Sequence, residues 1–106
     1  MIASEWKNAN FRDEKAKEKH KKHLQEYGNI TFEEYVEGAR KLLSKEIDDN
    51  IDGFVNNSGA TYRYDKKNND FAIGKDGIIF TRFKPKEGKK YWETIKNEEI
   101  KQLQND

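Results

Sequence analysis

The hydrophobic period of the chain changes at Asp48-Asp49-Asn50, and this change limits the folds that the chain can adopt. Before this point, apolar residues recur every three or four positions, which is the spacing of one face of an α-helix. After it, apolar and polar residues alternate in short runs separated by turn residues, as in half-buried strands. Helical segments followed by a run of strands are typical of an α+β protein. We therefore predict N-terminal helices packed on a small twisted antiparallel β-sheet.

Two helices are predicted before the change of period. Residues 10–27 are rich in Lys, Glu and Ala, which favour helices, and Gly28 is a natural residue to follow a helix C-terminus. Residues 32–47 begin with a capping box, in which Thr31 caps the helix and Glu34 reaches back to it. The second helix carries the stronger apolar stripe, formed by Phe32, Tyr35, Val36, Ala39, Leu42, Leu43 and Ile47.

Residues 53–84 are predicted to form an antiparallel meander. The pair Asp76-Gly77 is typical of a two-residue hairpin turn, because both residues tolerate positive φ. Residues 78–84 have the clearest strand pattern of the chain, and Pro85 ends it, since proline has no backbone N–H to donate.

The composition bears on the size of the domain. Hydrophobic residues make up 33% of the chain and charged residues 39%, so the core is thin, although 13 aromatic residues help to fill it. We expect one domain over residues 1–106, whose tail, residues 89–106, is compatible with a helix. No apolar run approaches the ~20 residues of a membrane span, and we expect no signal peptide.

The absence of cysteine narrows the chemistry. It excludes a disulfide scaffold, a cysteine nucleophile and a zinc site built on thiolates. The chain has two histidines, and without a third ligand nearby they make a weak metal site. The glycine patterns of phosphate-binding loops and the nucleophile elbow of serine hydrolases are missing. We therefore expect neither a metal nor a cofactor.

The net charge of +1 hides a segregation of charge along the chain. Residues 1–23 carry a net charge of +3 and residues 62–92 carry +5, whereas residues 24–61 carry −5 and residues 93–106 carry −2. If the two basic blocks meet in space, they form a basic surface beside an acidic one. Basic surfaces are the usual footprint of proteins that bind phosphate-rich partners. The alternative, that both blocks are simply solvated faces, stays open.

Both histidines lie in the segment Lys19-His-Lys-Lys-His23, where they would be neighbours on one face of a helix. Cleavage of RNA needs a base for the 2′-hydroxyl, an acid for the leaving 5′-oxygen and cations for the charge that builds on phosphorus. Histidine and lysine side chains can fill all three roles without a metal. The nearby lysines favour a neutral imidazole, because like charge disfavours a second charge. The alternative is a surface helix whose histidines are incidental.

A second candidate segment lies on the last strand. Alternation places Thr81 and Phe83 on one face and Arg82 and Lys84 on the other. A threonine hydroxyl can hold a phosphate oxygen while a base stacks on the neighbouring aromatic ring. An ordinary strand with a core phenylalanine explains the same residues. The segment that follows is basic and suits a nucleic-acid backbone, with Lys84, Lys86, Lys89 and Lys90.

Taken together, these segments resemble the colicin D-like tRNA-cleaving domains that end contact-dependent inhibition toxins. Those domains belong to the barnase–EndoU–colicin–RelE-like superfamily of small metal-independent ribonucleases. The resemblance runs in order over residues 19–92. The Lys-x-Lys-His motif of the family, with a glycine five residues after its histidine, corresponds to Lys22-His23 and Gly28. The later motifs correspond to Tyr62-Arg-Tyr64-Asp65, Asn69, Phe71-Ala-Ile73, Asp76-Gly77, Thr81-Arg-Phe83-Lys84, Pro85 and Tyr91-Trp92.

The resemblance implies the ribonuclease fold of that superfamily and cleavage of tRNA by its own 2′-hydroxyl, leaving a 2′,3′-cyclic phosphate and a 5′-hydroxyl. It makes His23 the general acid/base and Lys22 the cation that stabilises the cleaved phosphate. Thr81 takes the hydroxyl position, and Phe83 takes an aromatic position that is usually Trp. His20 replaces the first Lys of the motif, so we expect either a second proton carrier or the loss of a cation. The expected RNA contacts are Lys19, Arg82, Lys84, Lys86, Lys89, Lys90 and Tyr64.

The resemblance also implies partners and a place of action. The partners would be RNA, with tRNA as the expected substrate, and a cognate immunity or antitoxin protein with an acidic surface. The site of action would be cytoplasmic, after delivery as part of a larger secreted toxin. An alternative of another class stays open: a catalytically inactive relative, such as one carried by a phage or mobile element, that acts as an RNA- or protein-binding module.

Overall fold

A computed structural model describes residues 2–105 of the chain and the side chains of residues 2–102. Met1 and Asp106, the two ends of the predicted domain, lie outside the described residues. The described chain has an α+β fold, as predicted, with three α-helices and one four-stranded sheet. These elements are α1 (Glu14–Lys21), α2 (Phe32–Ser44), β1 (Ile51–Val55), β2 (Thr61–Asp65), β3 (Asp70–Lys75), β4 (Ile78–Phe83) and α3 (Lys89–Asn105).

The sheet is the predicted antiparallel meander, with the strand order β1-β2-β3-β4. Asp76 and Gly77 form the tight turn between β3 and β4, with φ angles of 51° and 78°. Both angles are positive, as a type I′ hairpin turn requires. The first strand begins at Ile51, two residues before the predicted meander. The carboxylate of Asp48 accepts the backbone N–H groups of Asn50 and Ile51, at 2.8 and 2.6 Å, and so turns the chain into the strand.

The first helix begins later than predicted, because the residues before it are bound to the sheet. Asn10 pairs with the edge of β4, where its carbonyl accepts the N–H of Ile79 at 2.9 Å. The helix therefore starts at Glu14, after Asp13, whose carboxylate accepts the N–H of Ala16 at 2.9 Å as an N-cap.

The first helix also ends earlier than predicted, and residues 10–27 are not one helix. After Lys21 the chain tightens, since the N–H of His23 binds the carbonyl of His20 three residues back. A short 3-10 helix, Leu24–Tyr27, then leads to Gly28, whose φ of 85° ends the segment. The two histidines therefore do not share a helix, because His20 lies in α1 and His23 follows it.

The second helix has the predicted capping box but ends at Ser44 rather than at residue 47. Thr31 accepts the N–H of Glu34 at 3.1 Å, and the Glu34 carboxylate accepts the N–H of Thr31 at 2.9 Å. Lys45 is extended, with ψ of 142°, so the helix cannot continue. Ile47 is consequently 54% exposed and does not belong to the buried stripe on which the sequence placed it.

Both faces of the sheet are covered. Alternate residues of β3 point to opposite faces, and they belong to two different buried clusters: Ala72 packs with α2, and Phe71 packs with α3. Trp92 anchors α3, because its ring is fully buried and its Nε1–H donates to the Asp52 carboxylate at 2.9 Å. The tail is thus a helix that forms the third layer. In the described part of the chain, no helix is both long enough and apolar enough to cross a membrane.

Candidate active site

A cleft of about 330 Å³ lies along β4, the edge strand of the sheet, beside α1 and the turn that follows it. It brings together two sequence segments whose contacting residues, His20 and Thr81, are 61 positions apart. We call this space the β4 cleft. Six of the residues singled out from the sequence line it, namely Lys19, His20, Lys22, His23, Thr81 and Phe83, together with Phe80.

Both ring nitrogens of His20 are hydrogen-bonded. Nδ1 lies 2.8 Å from the carbonyl oxygen of Ala16, which can only accept, so Nδ1 carries the proton and donates. Nε2 therefore has a free lone pair when the ring is neutral, and it accepts the hydroxyl proton of Thr81 at 3.3 Å. The ring also stacks on Phe11, with centroids 4.5 Å apart, and is 9% exposed. In this arrangement His20 orients the hydroxyl of Thr81.

The protonation state of His20 sets what Thr81 can bind. Burial lowers the pKa of His20 below its ordinary value; the hydrogen bond to the Ala16 carbonyl opposes this shift, and the positive charges of Lys19 and Lys22 add to it. With neutral His20, the single hydroxyl proton of Thr81 is used by the imidazole, so its oxygen can accept but not donate within the cleft. If His20 gains a proton, Nε2–H donates to Thr81, and the hydroxyl becomes free to donate to an anionic oxygen.

His23 is held differently, by a carboxylate that the sequence did not single out. Its Nδ1 lies 2.6 Å from one carboxylate oxygen of Glu26, and the other oxygen accepts the backbone N–H of Lys84 at 2.8 Å. Since a carboxylate only accepts, Nδ1 carries a proton, and in the neutral ring Nε2 has the free lone pair. The spacing of three residues between His23 and Glu26 was the available signal, but it gains meaning only once the 3-10 turn brings the two side chains together.

The Nε2 atom of His23 has no hydrogen-bond partner among the described residues. No buried side-chain nitrogen or oxygen in residues 2–102 lacks a partner, so this atom reaches solvent. Phe83 packs on the imidazole, with ring centroids 5.5 Å apart, and its other contacts are with core aromatic rings. Phe83 thus supports the ring of His23 from the side of the sheet. A histidine with one nitrogen fixed by a carboxylate and the other open to solvent is suited to take and give protons.

The cations around the first helix fall into two groups. Lys17 and Lys21 form ion pairs with Glu14 and Glu18, at 3.2 and 2.7 Å. A second group, defined here as the unpaired stripe, recurs at helical spacings of three, four and three, and its members have no ion-pair partner within the described residues. The unpaired stripe consists of Arg12, Lys15, Lys19 and Lys22.

Two residues expected to contact RNA are instead part of the core, and these predictions are wrong. Arg82 is 8% exposed, and its guanidinium binds both carboxylate oxygens of Asp70 at 3.1 and 2.8 Å. Tyr64 is 1% exposed and stacks on Trp92, with centroids 5.6 Å apart. Alternation along the strands was read correctly, but α2 and α3 cover both faces of the sheet, so neither side chain reaches solvent.

The remaining basic residues do not line the β4 cleft. The ammonium of Lys84 donates to the carbonyl of Asn68 at 2.5 Å and lies 4.9 Å from the ring centroid of Tyr27. Lys86 is exposed on the loop after β4, and Lys89 and Lys90 are exposed at the start of α3. That they contact RNA stays a prediction.

No cluster of three or more His, Asp or Glu side chains within the described residues has the arrangement of a metal site. The residues that line the β4 cleft provide imidazole, ammonium and hydroxyl groups. In comparisons with known proteins, neither a family model nor a curated protein matches the chain.

Proposed function

We propose that this chain is a metal-independent endoribonuclease domain that cleaves RNA, with tRNA as its expected substrate. The observation that carries the proposal is the position of His23 in the β4 cleft. Its Nε2 is open to solvent, its Nδ1 is bound to Glu26 at 2.6 Å, and Lys19 and Lys22 line the same cleft without acidic partners. A proton carrier beside unpaired cations is what phosphodiester cleavage requires.

The reaction uses groups that the cleft provides. The 2′-hydroxyl gives its proton to Nε2 of His23, and its oxygen attacks the adjacent phosphorus. The Glu26 carboxylate stabilises the imidazolium that forms. The bond between phosphorus and the 5′-oxygen breaks, and the leaving oxygen takes a proton from the ammonium of Lys22. The products are a 2′,3′-cyclic phosphate and a 5′-hydroxyl.

Charge on the phosphate is stabilised by Lys19 and Lys22, which need not first break an ion pair to reach it. Thr81 adds a hydroxyl that is held in place by His20. When substrate phosphate approaches, its negative charge favours protonation of His20, which then frees the hydroxyl of Thr81 to donate to a phosphate oxygen. His20 thus acts as a positioning residue, and His23 is the base that takes the proton of the 2′-hydroxyl.

The same surface suits an inhibitor. The unpaired stripe is positive, so an immunity or antitoxin protein with an acidic face would be attracted to it and would cover the β4 cleft. Complementary charge of this kind raises association rates, an effect that falls as salt increases. We expect binding of such a partner to exclude RNA.

The alternative is a binding module that keeps the fold without catalysis. The unpaired stripe favours it as well, because cations without partners bind a nucleic-acid backbone whether or not cleavage follows. The two functions differ in their dependence on His23, which a binding module does not need.

The deciding experiment is incubation of the domain with total tRNA in excess EDTA, followed by a denaturing gel. We expect discrete fragments from the wild-type domain and none from His23→Ala, while the affinity of the variant for RNA stays within a few-fold. Lys17→Ala is the matched control, since Lys17 lies on α1 in an ion pair with Glu14. Full activity of His23→Ala would contradict the assignment. Intact tRNA with the wild-type domain, and no toxicity on expression in cells, would favour the binding module.

A further inference from the structure

A second cleft continues from the β4 cleft along the first helix. Its volume is about 390 Å³, and it shares Lys19 and Phe80 with the β4 cleft. Arg12 and Lys15 line its helix side, and Ile78 lines its strand side. The two clefts therefore form one groove, with Phe80 between its two parts.

Phe80 is exposed because of an irregularity in the sheet. Ile73 pairs with Thr81 and Gly74 pairs with Ile79, so Phe80 has no partner in the register of β3 and β4. A β-bulge of this kind re-aims the side chain of the extra residue, and bulges are common next to active sites. Phe80 is 42% exposed, and it is the one aromatic residue among the exposed large hydrophobic side chains of the described residues.

The charge of the second cleft is positive. Arg12, Lys15 and Lys19 line it and have no ion-pair partner in the described part of the chain. Asp13 also lines it, but one of its oxygens is used to cap α1. From Lys15 to Lys22 the unpaired stripe extends about 10 Å along the helix axis. It therefore offers positive charge well beyond the single phosphate that the β4 cleft needs.

We propose that the second cleft is a nucleotide subsite, in which the base next to the cleaved phosphate stacks on Phe80 and its own phosphate binds Arg12 and Lys15. This inference rests on the proposed function, because it takes the β4 cleft as the place of the cleaved phosphate. Stacking on an exposed ring accepts any base and requires single-stranded RNA, so the preferred substrate is an unpaired loop rather than a duplex.

Binding of a non-cleavable RNA tests the subsite independently of catalysis. The probe is a fluorescently labelled, mixed-sequence 2′-O-methyl RNA of about 12 nucleotides, a length within the range of single-strand binding sites. Since it has no 2′-hydroxyl, it cannot be cleaved by the proposed reaction. We expect Phe80→Ala to weaken its binding about tenfold in fluorescence anisotropy, and Phe80→Trp to preserve it. Val55→Ala is the matched control, because Val55 is 54% exposed on β1, at the opposite edge of the sheet.

The phosphate contact has its own readout, the dependence of affinity on salt. Lys15→Ala should lower the slope of log affinity against log salt concentration by about 0.7, the value for one phosphate on a single strand. Lys17→Ala, whose lysine is already paired with Glu14, should leave the slope unchanged.

The outcomes separate the two proposals. If the wild-type domain cleaves tRNA and Phe80→Ala binds the probe as tightly as wild type does, the subsite alone is overturned. Phe80 would then be available to a protein partner. Weakened binding by Phe80→Ala, in a domain that cleaves no RNA, would support the groove as an RNA-binding surface and overturn the nuclease. A wild-type domain that does not bind the probe would overturn the subsite.

Discussion

Two neighbouring residues of β4, Thr81 and Arg82, show opposite uses of polar groups. Arg82 faces α2 and lies in what we call the Arg82 network, with Asp70, Tyr27 and Tyr35. Its guanidinium donates to both oxygens of Asp70 and to the carbonyl of Tyr35, and it lies 4.0 Å from the ring centroid of Tyr27. Thr81 faces the β4 cleft, where the one hydrogen-bond partner of its hydroxyl among the described residues is His20.

The comparison teaches how to separate structural polar groups from functional ones. Burial alone would lower the pKa of Arg82, but the hydrogen bonds and negative charge of Asp70 outweigh it and raise that pKa. The Arg82 network is thus closed, with its donors and acceptors matched inside the protein. In the β4 cleft, by contrast, the Nε2 of His23 has no hydrogen-bond partner among the described residues. The ammonium groups of Lys19 and Lys22 have no ion-pair partner among those residues. Changes in the network should affect stability, and changes in the cleft should affect chemistry.

The largest effect is expected from Arg82→Met, which removes the guanidinium that binds Asp70 and the carbonyl of Tyr35 in the Arg82 network. Asp70 is 8% exposed, and without Arg82 its charge would keep the hydroxyl of Tyr27 as its main partner. Removal of one member of a buried ion pair costs about 3–5 kcal/mol, because the other charge stays buried. We expect this loss in the free energy of unfolding, measured by urea denaturation, while cleavage per folded molecule is unchanged.

The control for Arg82→Met is Lys17→Met, which removes a cation from an exposed ion pair and should cost less than about 1 kcal/mol. The double variant Arg82→Met/Asp70→Leu should recover part of the loss, since no unpaired charge then remains buried. A stable Arg82→Met domain that no longer cleaves RNA would reverse the comparison and return Arg82 to the RNA-binding surface.

Sequence reasoning located the cleft better than it located the network. Helical spacing and strand alternation suffice to place His20, Lys22 and Thr81 on their elements, because local periodicity determines which face a residue takes. It does not say whether a second layer covers that face. The sequence predicts an RNA contact for Arg82 because the packing of α2 on the sheet is a long-range property that local alternation does not contain. Gly38 was the available signal: a Cβ at this position of α2 would collide with the guanidinium, so the glycine marks a close approach.

Residues 89–106 were predicted to be compatible with a helix, but the packing of that helix and the contacts of Glu26 do not follow from local sequence patterns. The tail has a weak apolar pattern, and its packing depends on a few residues. The main one is Trp92, which packs with Tyr64 and Phe71 on the face of the sheet that α3 covers. Glu26 was hidden because residues 10–27 were treated as one regular helix. The tightened turn after Lys21 is a departure from that regularity, and it is this turn that brings Glu26 to His23 and to the backbone of β4's C-terminal end.

The next effect in size is expected from Glu26→Gln, within the cleft. The two carboxylate oxygens of Glu26 accept hydrogen bonds from His23 Nδ1–H and from the backbone N–H of Lys84. A glutamine has one acceptor and one donor in their place, so it can satisfy both partners only if Nδ1 of His23 loses its proton. The imidazole then carries its proton on Nε2. That atom can no longer accept the proton of the 2′-hydroxyl, because its lone pair is used. We expect the turnover number to fall about 100-fold, with KM changed little.

Glu18→Gln serves as the control for this variant, because Glu18 pairs with Lys21 outside the cleft and its change should not alter turnover. The two-dimensional NMR shifts of the His23 ring nitrogens give a direct readout of the tautomer. Unchanged turnover together with an unchanged tautomer would show that Glu26 supports the fold of the turn and has no part in positioning His23.

The smallest effect is expected in the pH dependence of stability. His20 lies in the β4 cleft, but its burial also makes it affect the free energy of unfolding. Its pKa in the folded protein is lowered, chiefly by burial, whereas the unfolded chain has the ordinary value of 6.5. Between these two pKa values the unfolded state binds more protons than the folded state, so the free energy of unfolding rises with pH across this window. The contribution of His20 to stability is lost as the pH falls from 6.5 to its folded pKa. Urea denaturation between about pH 5 and pH 7 measures it. His20→Gln should flatten this slope and Lys17→Ala should keep it; a slope that survives unchanged in His20→Gln would show that another group produces it and that folding does not lower the pKa of His20.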